Sequence, residues 1–94
     1  MIMVDCSHAN SAKDHNRQIA VARDVASQIE AGNSSIIGLM LESNIHAGNQ
    51  PIGDRTKLKY GVSITDACID WSSTEALLRE LAASTSTNLL KRVA

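Results

Sequence analysis

A histidine and two carboxylates stand where this chain could do chemistry. His8 lies in Asp5-Cys6-Ser7-His8-Ala9-Asn10-Ser11, directly after the apolar run Met1-Ile2-Met3-Val4. Glu42 closes Ser35-Ile36-Ile37-Gly38-Leu39-Met40-Leu41, and Asp66 lies in Ser63-Ile64-Thr65-Asp66-Ala67-Cys68. A buried strand delivers the residue at its end to the edge of a sheet. A His, a Glu and an Asp at strand ends, or in the loop just beyond, make a hard-to-borderline site for a divalent metal. Taken singly, each has a plainer reading. His8 could be a hydrogen-bonded structural residue, Glu42 a solvated charge and Asp66 a helix cap. Glu42 ends an apolar strand, a costly place for an idle carboxylate. His15 and His46 lack such settings and read as surface residues. Lys57 and Lys59 read as solvated loop charges, and Cys6 and Cys68 as buried thiols of no chemical role.

These residues need elements to hold them. Residues 1–7 read as a first strand. Asp14 is placed to cap a helix over 15–31, in which Ile19, Ala22, Val25, Ala26 and Ile29 recur at three- and four-residue steps. Arg17, Arg23, Asp24, Gln28 and Glu30 fall mostly on the other side, and Gly32 stands where a left-handed terminator is common. Residues 35–42 read as a second strand, apolar throughout, as parallel strands covered on both faces are. Gly38 within it points to a crowded position. Residues 43–70 read as a long loop with turns at Gly48-Asn49-Gln50-Pro51 and Gly53-Asp54. A last helix is expected over 71–84, with Ser72-x-x-Glu75 as its capping box. Leu77, Leu78, Leu81 and Ala82 would be its buried stripe, and Trp71 a packing residue at its start. From Ala83 to Ala94 the expectation is partial helix or a mobile end. Strands alternating with helices give an α/β chain with parallel βαβ connections.

The bulk properties narrow the function. The chain has 94 residues and a formal net charge of −1, so it carries no basic stripe for nucleic acid. No apolar run is long enough to span a bilayer, and no charged segment precedes an apolar one at the N-terminus. Two cysteines without a disulfide spacing pattern fit a reducing cytoplasm. Phe is absent, and Trp71 and Tyr60 are the only aromatics. A chain this small, beginning inside a strand and poor in large side chains, reads as a piece of a larger domain.

Together the segments resemble the C-terminal end of the class I 3-deoxy-D-arabino-heptulosonate 7-phosphate (DAHP) synthases. The stretches that carry the resemblance are Asp5–Ser11, Ser35–Ser43, Gly48-Asn49-Gln50 and Tyr60–Ile69, in that order. Asp5-Cys6-Ser7-His8, Ser43-Asn44-Ile45-His46 and Arg92-Val93-Ala94 look most like the tyrosine-sensitive branch. The resemblance implies the last two strand–helix units of a (β/α)₈ TIM barrel, whose sites lie at the C-terminal ends of strands. It implies a transferase that condenses phosphoenolpyruvate with erythrose 4-phosphate and releases phosphate, at the head of the shikimate route to aromatic amino acids. It implies a divalent metal of the manganese, iron, cobalt or zinc class, held by a Cys, a His, a Glu and an Asp. The last three match His8, Glu42 and Asp66. His8 and Asp66 are also the candidate catalytic residues, Asp66 through a water held beside the ion. The family's ligand cysteine, its phosphate-binding loop and its effector region lie on segments outside this sequence. Neither Cys6 nor Cys68 corresponds to that ligand. The chain alone is then expected to be inactive, to need the N-terminal part of the barrel, and to form homo-oligomers through open strand edges. The rival readings are a non-catalytic assembly module on a half-barrel scaffold and a sister synthase using another aldose phosphate.

Overall fold

The computed structural model describes residues 1–92. Strand β1 (Ile2–Asp5) leads through a 3₁₀ turn at His15–Arg17 into helix α1 (Gln18–Glu30). Strand β2 (Ile36–Met40), a 3₁₀ turn at Arg55–Lys57 and helix α2 (Trp71–Lys91) complete the order. β1 and β2 pair in parallel, with Val4 opposite Leu39 and Asp5 opposite Met40. The register slips between Ile2 and Met3, which leaves Ile37 without a partner in the ladder.

The strands are shorter than the expected spans of 1–7 and 35–42. Cys6 makes the last ladder bond, from its amide to the Met40 carbonyl at 3.0 Å, and Ser7 then turns back to the Asp5 carboxylate. The first helix begins at Gln18, later than the expected residue 15. Asp14 does cap, but it caps the 3₁₀ turn, accepting from the Asn16 amide at 3.0 Å. At the other end the Gly32 amide bonds Ile29 and the Asn33 amide bonds Gln28, with Gly32 at φ +103°. That is the paired termination expected of a left-handed glycine.

Two small apolar groups form the core. Cys6, Ala22 and Leu77 are buried together, with Leu39, Leu41 and Leu81 packed against them. Val25, Ile29 and Ile36 form the second, joined by Val4 and Leu39. Arg23 Nε donates to both carboxylate oxygens of Glu80, at 3.1 and 3.0 Å, tying α1 to α2.

Helix α2 starts at Trp71 and differs from expectation in its cap and its far end. Its N-cap is Asp70, whose carboxylate accepts from the Ser73 amide at 2.8 Å. Ser72 is not the cap, and Glu75 pairs with Arg79 at 3.1 Å instead of reaching back. An extended Asp one residue before the helix supplies both the acceptor and a negative charge at the positive end of the helix dipole. The helix then runs on to Lys91 rather than ending near residue 84. Asn88 and Arg92 give the extra turns a purpose. Asn88 donates to the Ile29 carbonyl and Arg92 to those of Ile36 and Asn33. Val93 and Ala94, part of the tail expectation and of the closing Arg92-Val93-Ala94 motif, lie outside the described residues.

Other expectations are corrected by what the chain leaves uncovered. Leu77 is buried and Leu81 half-buried, but Leu78 and Ala82 are exposed. Trp71 is 55% exposed and packs little. Met3 and Ile37 are also exposed, so the sheet is not covered on both faces. Nothing crowds Gly38, since an added Cβ would meet only Met3 atoms at 3.8 Å or more. The Cα radius of gyration is 15.4 Å, against roughly 12 Å for a compact chain of this length.

Candidate metal centre

The turn after β1 is built around Asp5. Its Oδ1 accepts from the Ser7 amide and its carbonyl accepts from Asn10 Nδ2. The Lys13 amide and Ser11 hydroxyl both bond the His8 carbonyl. These bonds hold His8 at φ +46°, a left-handed conformation uncommon outside glycine. The imidazole is thereby aimed across the top of the sheet. Asp5 Oδ2 meets His8 Nδ1 at 2.8 Å.

Glu42 lies just past β2. Its amide donates to Gln18 Oε1 at 2.8 Å, and its carbonyl accepts from Gln18 Nε2 at 3.1 Å and from the Ile69 amide at 3.0 Å. Asp66 comes from the long loop, which is cross-tied and not free. Gly48 and Cys68 exchange two backbone bonds, and Asn49 Nδ2 reaches the Thr65 carbonyl at 3.0 Å. The Gln50 side chain bonds Lys59 through both its ends and the Val62 carbonyl as well. The Gly-Asn-Gln motif thus seats the segment that carries Asp66.

His8 Nε2 then lies 2.9 Å from Glu42 Oε1 and 3.0 Å from Asp66 Oδ2. One ligand atom from each of the three residues lies within 4.8 Å of the others. Donors bound ~2.1 Å from one ion sit about 3.0–3.4 Å apart, so the two His8 separations are near those of a coordination shell. The Glu42 contact is an ion pair by distance but lacks hydrogen-bond alignment. Among the described residues, Glu42 Oε1 is the buried side-chain polar atom left without a hydrogen-bond partner. A buried, unpaired carboxylate oxygen facing an imidazole nitrogen is what a cation would satisfy. Asp5 on the far ring nitrogen is the outer carboxylate that commonly orients a ligating histidine. The donor set therefore fits a divalent metal.

The charges act on one another. The hydrogen bond to Asp5 and then that to Asp66 raise the His8 pKa. The Asp5 carboxyl is held below the usual carboxylate range by His8 and the Ser7 amide. Burial pushes both thiols, Cys6 and Cys68, up, in keeping with inert cysteines.

All three expected ligands are brought together. His46, Lys57 and Lys59 are exposed. His15 is half-buried and lines the same cavity as His8, Asn49 and Asp66, which corrects its surface reading. Asp5 and Gln18 are not among the expected site residues. Asp5 is three residues before His8 on the same turn. Gln18 falls in the 18, 22, 25, 26, 29 stripe of α1, where a polar residue on an apolar face is itself a signal.

The sequence model of the DAHP synthetase I family matches residues 1–79. The chain belongs to that family. It is 61% identical to the Tyr-sensitive phospho-2-dehydro-3-deoxyheptonate aldolase of Salmonella typhimurium over 94 residues, covering 99% of this chain and 26% of that protein. It is 60% identical to the Tyr-sensitive enzyme of Escherichia coli, with the same coverage. The solved structure of a phospho-2-dehydro-3-deoxyheptonate aldolase from Francisella tularensis superposes with a TM-score of 0.85 at 45% identity. That match covers 92% of this chain and 25% of the other. This member of the DAHP synthetase I family thus spans about a quarter of the length of the relatives it matches. None of its described helices is long and apolar enough to cross a membrane.

Proposed function

We propose that this chain forms the last two strand–helix units of a (β/α)₈ barrel. The parent would be a DAHP synthase that condenses phosphoenolpyruvate with erythrose 4-phosphate and releases phosphate. His8, Glu42 and Asp66 would hold its divalent metal. The observation that carries the reading is the meeting of these three side chains beyond the C-terminal ends of β1 and β2. Sites in (β/α)₈ enzymes lie on that rim.

When bound, the ion would supply Lewis acidity to the aldehyde carbonyl of the sugar phosphate. Asp5 holds the His8 ring so that Nε2 is the coordinating nitrogen. Glu42 contributes a largely buried carboxylate, its side chain 19% exposed, and Asp66 one open to solvent at 65%. The open carboxylate is the one able to hold a water and accept a proton from it. A mixed N and O donor set, with the cysteine that the family resemblance assigns to an upstream segment, suits manganese, iron, cobalt or zinc.

The exposed Met3, Ile37, Leu78 and Leu89 are the apolar positions the remaining barrel would cover. Without it the chain would be catalytically inert, lacking the fourth ligand and the phosphate-binding residues.

The test is reassembly. Manganese titrated into this chain should bind weakly. Adding the complementary N-terminal portion of a close relative should tighten binding and yield product from the two substrates. A reassembled protein that ignores metal would favour the non-catalytic assembly module. Turnover with a different aldose phosphate alone would favour a sister synthase.

A further inference from the structure

Gln18 is fully buried at the N-terminus of α1, on the helix face that also buries Ala22, Val25, Ala26 and Ile29. Both ends of its amide go to one residue. Oε1 accepts from the Glu42 amide and Nε2 donates to the Glu42 carbonyl, across 24 positions of sequence. The reason is the geometry of the sheet. β1 leaves the ladder at Cys6, so nothing in β1 pairs with the backbone of Glu42. The Gln18 amide turns one N–H donor and its carbonyl acceptor toward Glu42, the same pair a neighbouring strand would offer. It continues the ladder for one more residue with a side chain. The Ile69 amide occupies the second lone pair of the Glu42 carbonyl, from the segment that follows Asp66. The Glu42 peptide is thus clamped from both sides, and with it the direction of the Glu42 side chain.

From this juxtaposition we infer that Gln18 is a positioning residue for the metal centre, setting the Glu42 carboxylate against His8 Nε2. The inference rests on the metal-binding reading of His8, Glu42 and Asp66. Gln18 touches no ligand atom, and its effect passes through the backbone of Glu42. Outer groups that orient ligands commonly carry ten- to a hundred-fold in metal affinity, and about ten-fold is expected here.

The experiment compares the whole chain with Gln18→Met, which keeps side-chain volume and loses both bonds. Ser43→Ala serves as a control, because the Ser43 hydroxyl bonds Thr74 and not the centre. Manganese affinity is read from the free-ion paramagnetic signal, and cobalt-loaded protein is read by visible absorption. Thermal midpoints are taken with and without manganese. Gln18→Met should bind manganese about ten-fold more weakly, alter the cobalt bands, and lose part of the metal-induced rise in midpoint. Ser43→Ala should lower the midpoint equally with and without metal and leave affinity unchanged. Affinity of Gln18→Met within two-fold of the parent, with unaltered cobalt bands, would overturn the role of Gln18 and leave the centre standing. A parent chain that binds no manganese would overturn the centre and the inference together. Should Gln18→Met fail to fold by far-ultraviolet dichroism, Gln18→Glu is read by the same outcomes. It keeps the acceptor for the Glu42 amide and loses the donor to its carbonyl.

Discussion

Asp5 and His8 face each other across one turn, with Oδ2 and Nδ1 2.8 Å apart. The carboxylate fixes the ring and favours its charged form, the larger of the causes that raise the His8 pKa. The folded value therefore lies above the ordinary value of about 6.5. In the metal-free chain the contribution of His8 to stability is complete below that ordinary value and is lost as pH rises through the folded one. Metal affinity should move the other way, rising with pH as the proton leaves the ring. Asp5→Asn should bring the His8 titration, followed by NMR, back toward the ordinary value. It should also weaken manganese binding roughly 10- to 100-fold. An unmoved titration would show that Asp5 does not control the ring.

Asp66→Asn should reduce metal affinity and, in the whole enzyme, turnover together. Unchanged values for both would remove Asp66 from the centre. Glu42→Gln should be the more damaging of the two, because it neutralises the less exposed carboxylate. Paired titrations with one metal would rank them.

Asp70 governs the start of α2. Bonds from Ser73, its side chain and then its amide, hold the Asp70 carboxyl below the ordinary value of about 3.9. Its stabilising effect is present above that value and disappears as pH falls through the folded one. Asp70→Ala should lower helicity at neutral pH and flatten the acid side of the stability profile. Superimposable acid limbs would refute this.

Gly61 stands at φ +76°, and a Cβ there would lie 2.8 Å from the Cβ of Ile45. Gly61→Ala should cost on the order of 1–3 kcal/mol. The loss should appear in urea melts and as faster exchange of the His46 amide, which bonds the Gly61 carbonyl at 2.8 Å.

The sheet has two strands, and Met1, Ile2, Met3 and Ile37 are exposed. Sedimentation at rising concentration should show self-association through these residues. A single monomeric species at all concentrations would contradict it.

The parts legible in the sequence are those written in local pattern. The α1 stripe, the Gly32 terminator and the two parallel strands follow from periodicity and turn chemistry. His8, Glu42 and Asp66 could be grouped because each follows or neighbours an apolar run and the family motifs align them. What stayed hidden depends on tertiary partners. The length of α2 rests on Asn88 and Arg92 finding carbonyls of another element. Periodicity marks Leu78 as core, yet burial needs a neighbour that these residues do not supply. Gln18 is polar by type and buried by geometry, a pairing that only the position of Glu42 explains.

The cross-ties at Gly48, Asn49 and Gln50 separate two jobs within one loop. Below them the chain is anchored; beyond them, from Pro51 to Leu58, it makes an exposed excursion that returns to the same anchor. Such an outlier can lengthen, shorten or change composition while the residue it leads to keeps its address. Evolution, or an engineer, can therefore rewrite that tip while His8, Glu42 and Asp66 stay where they meet.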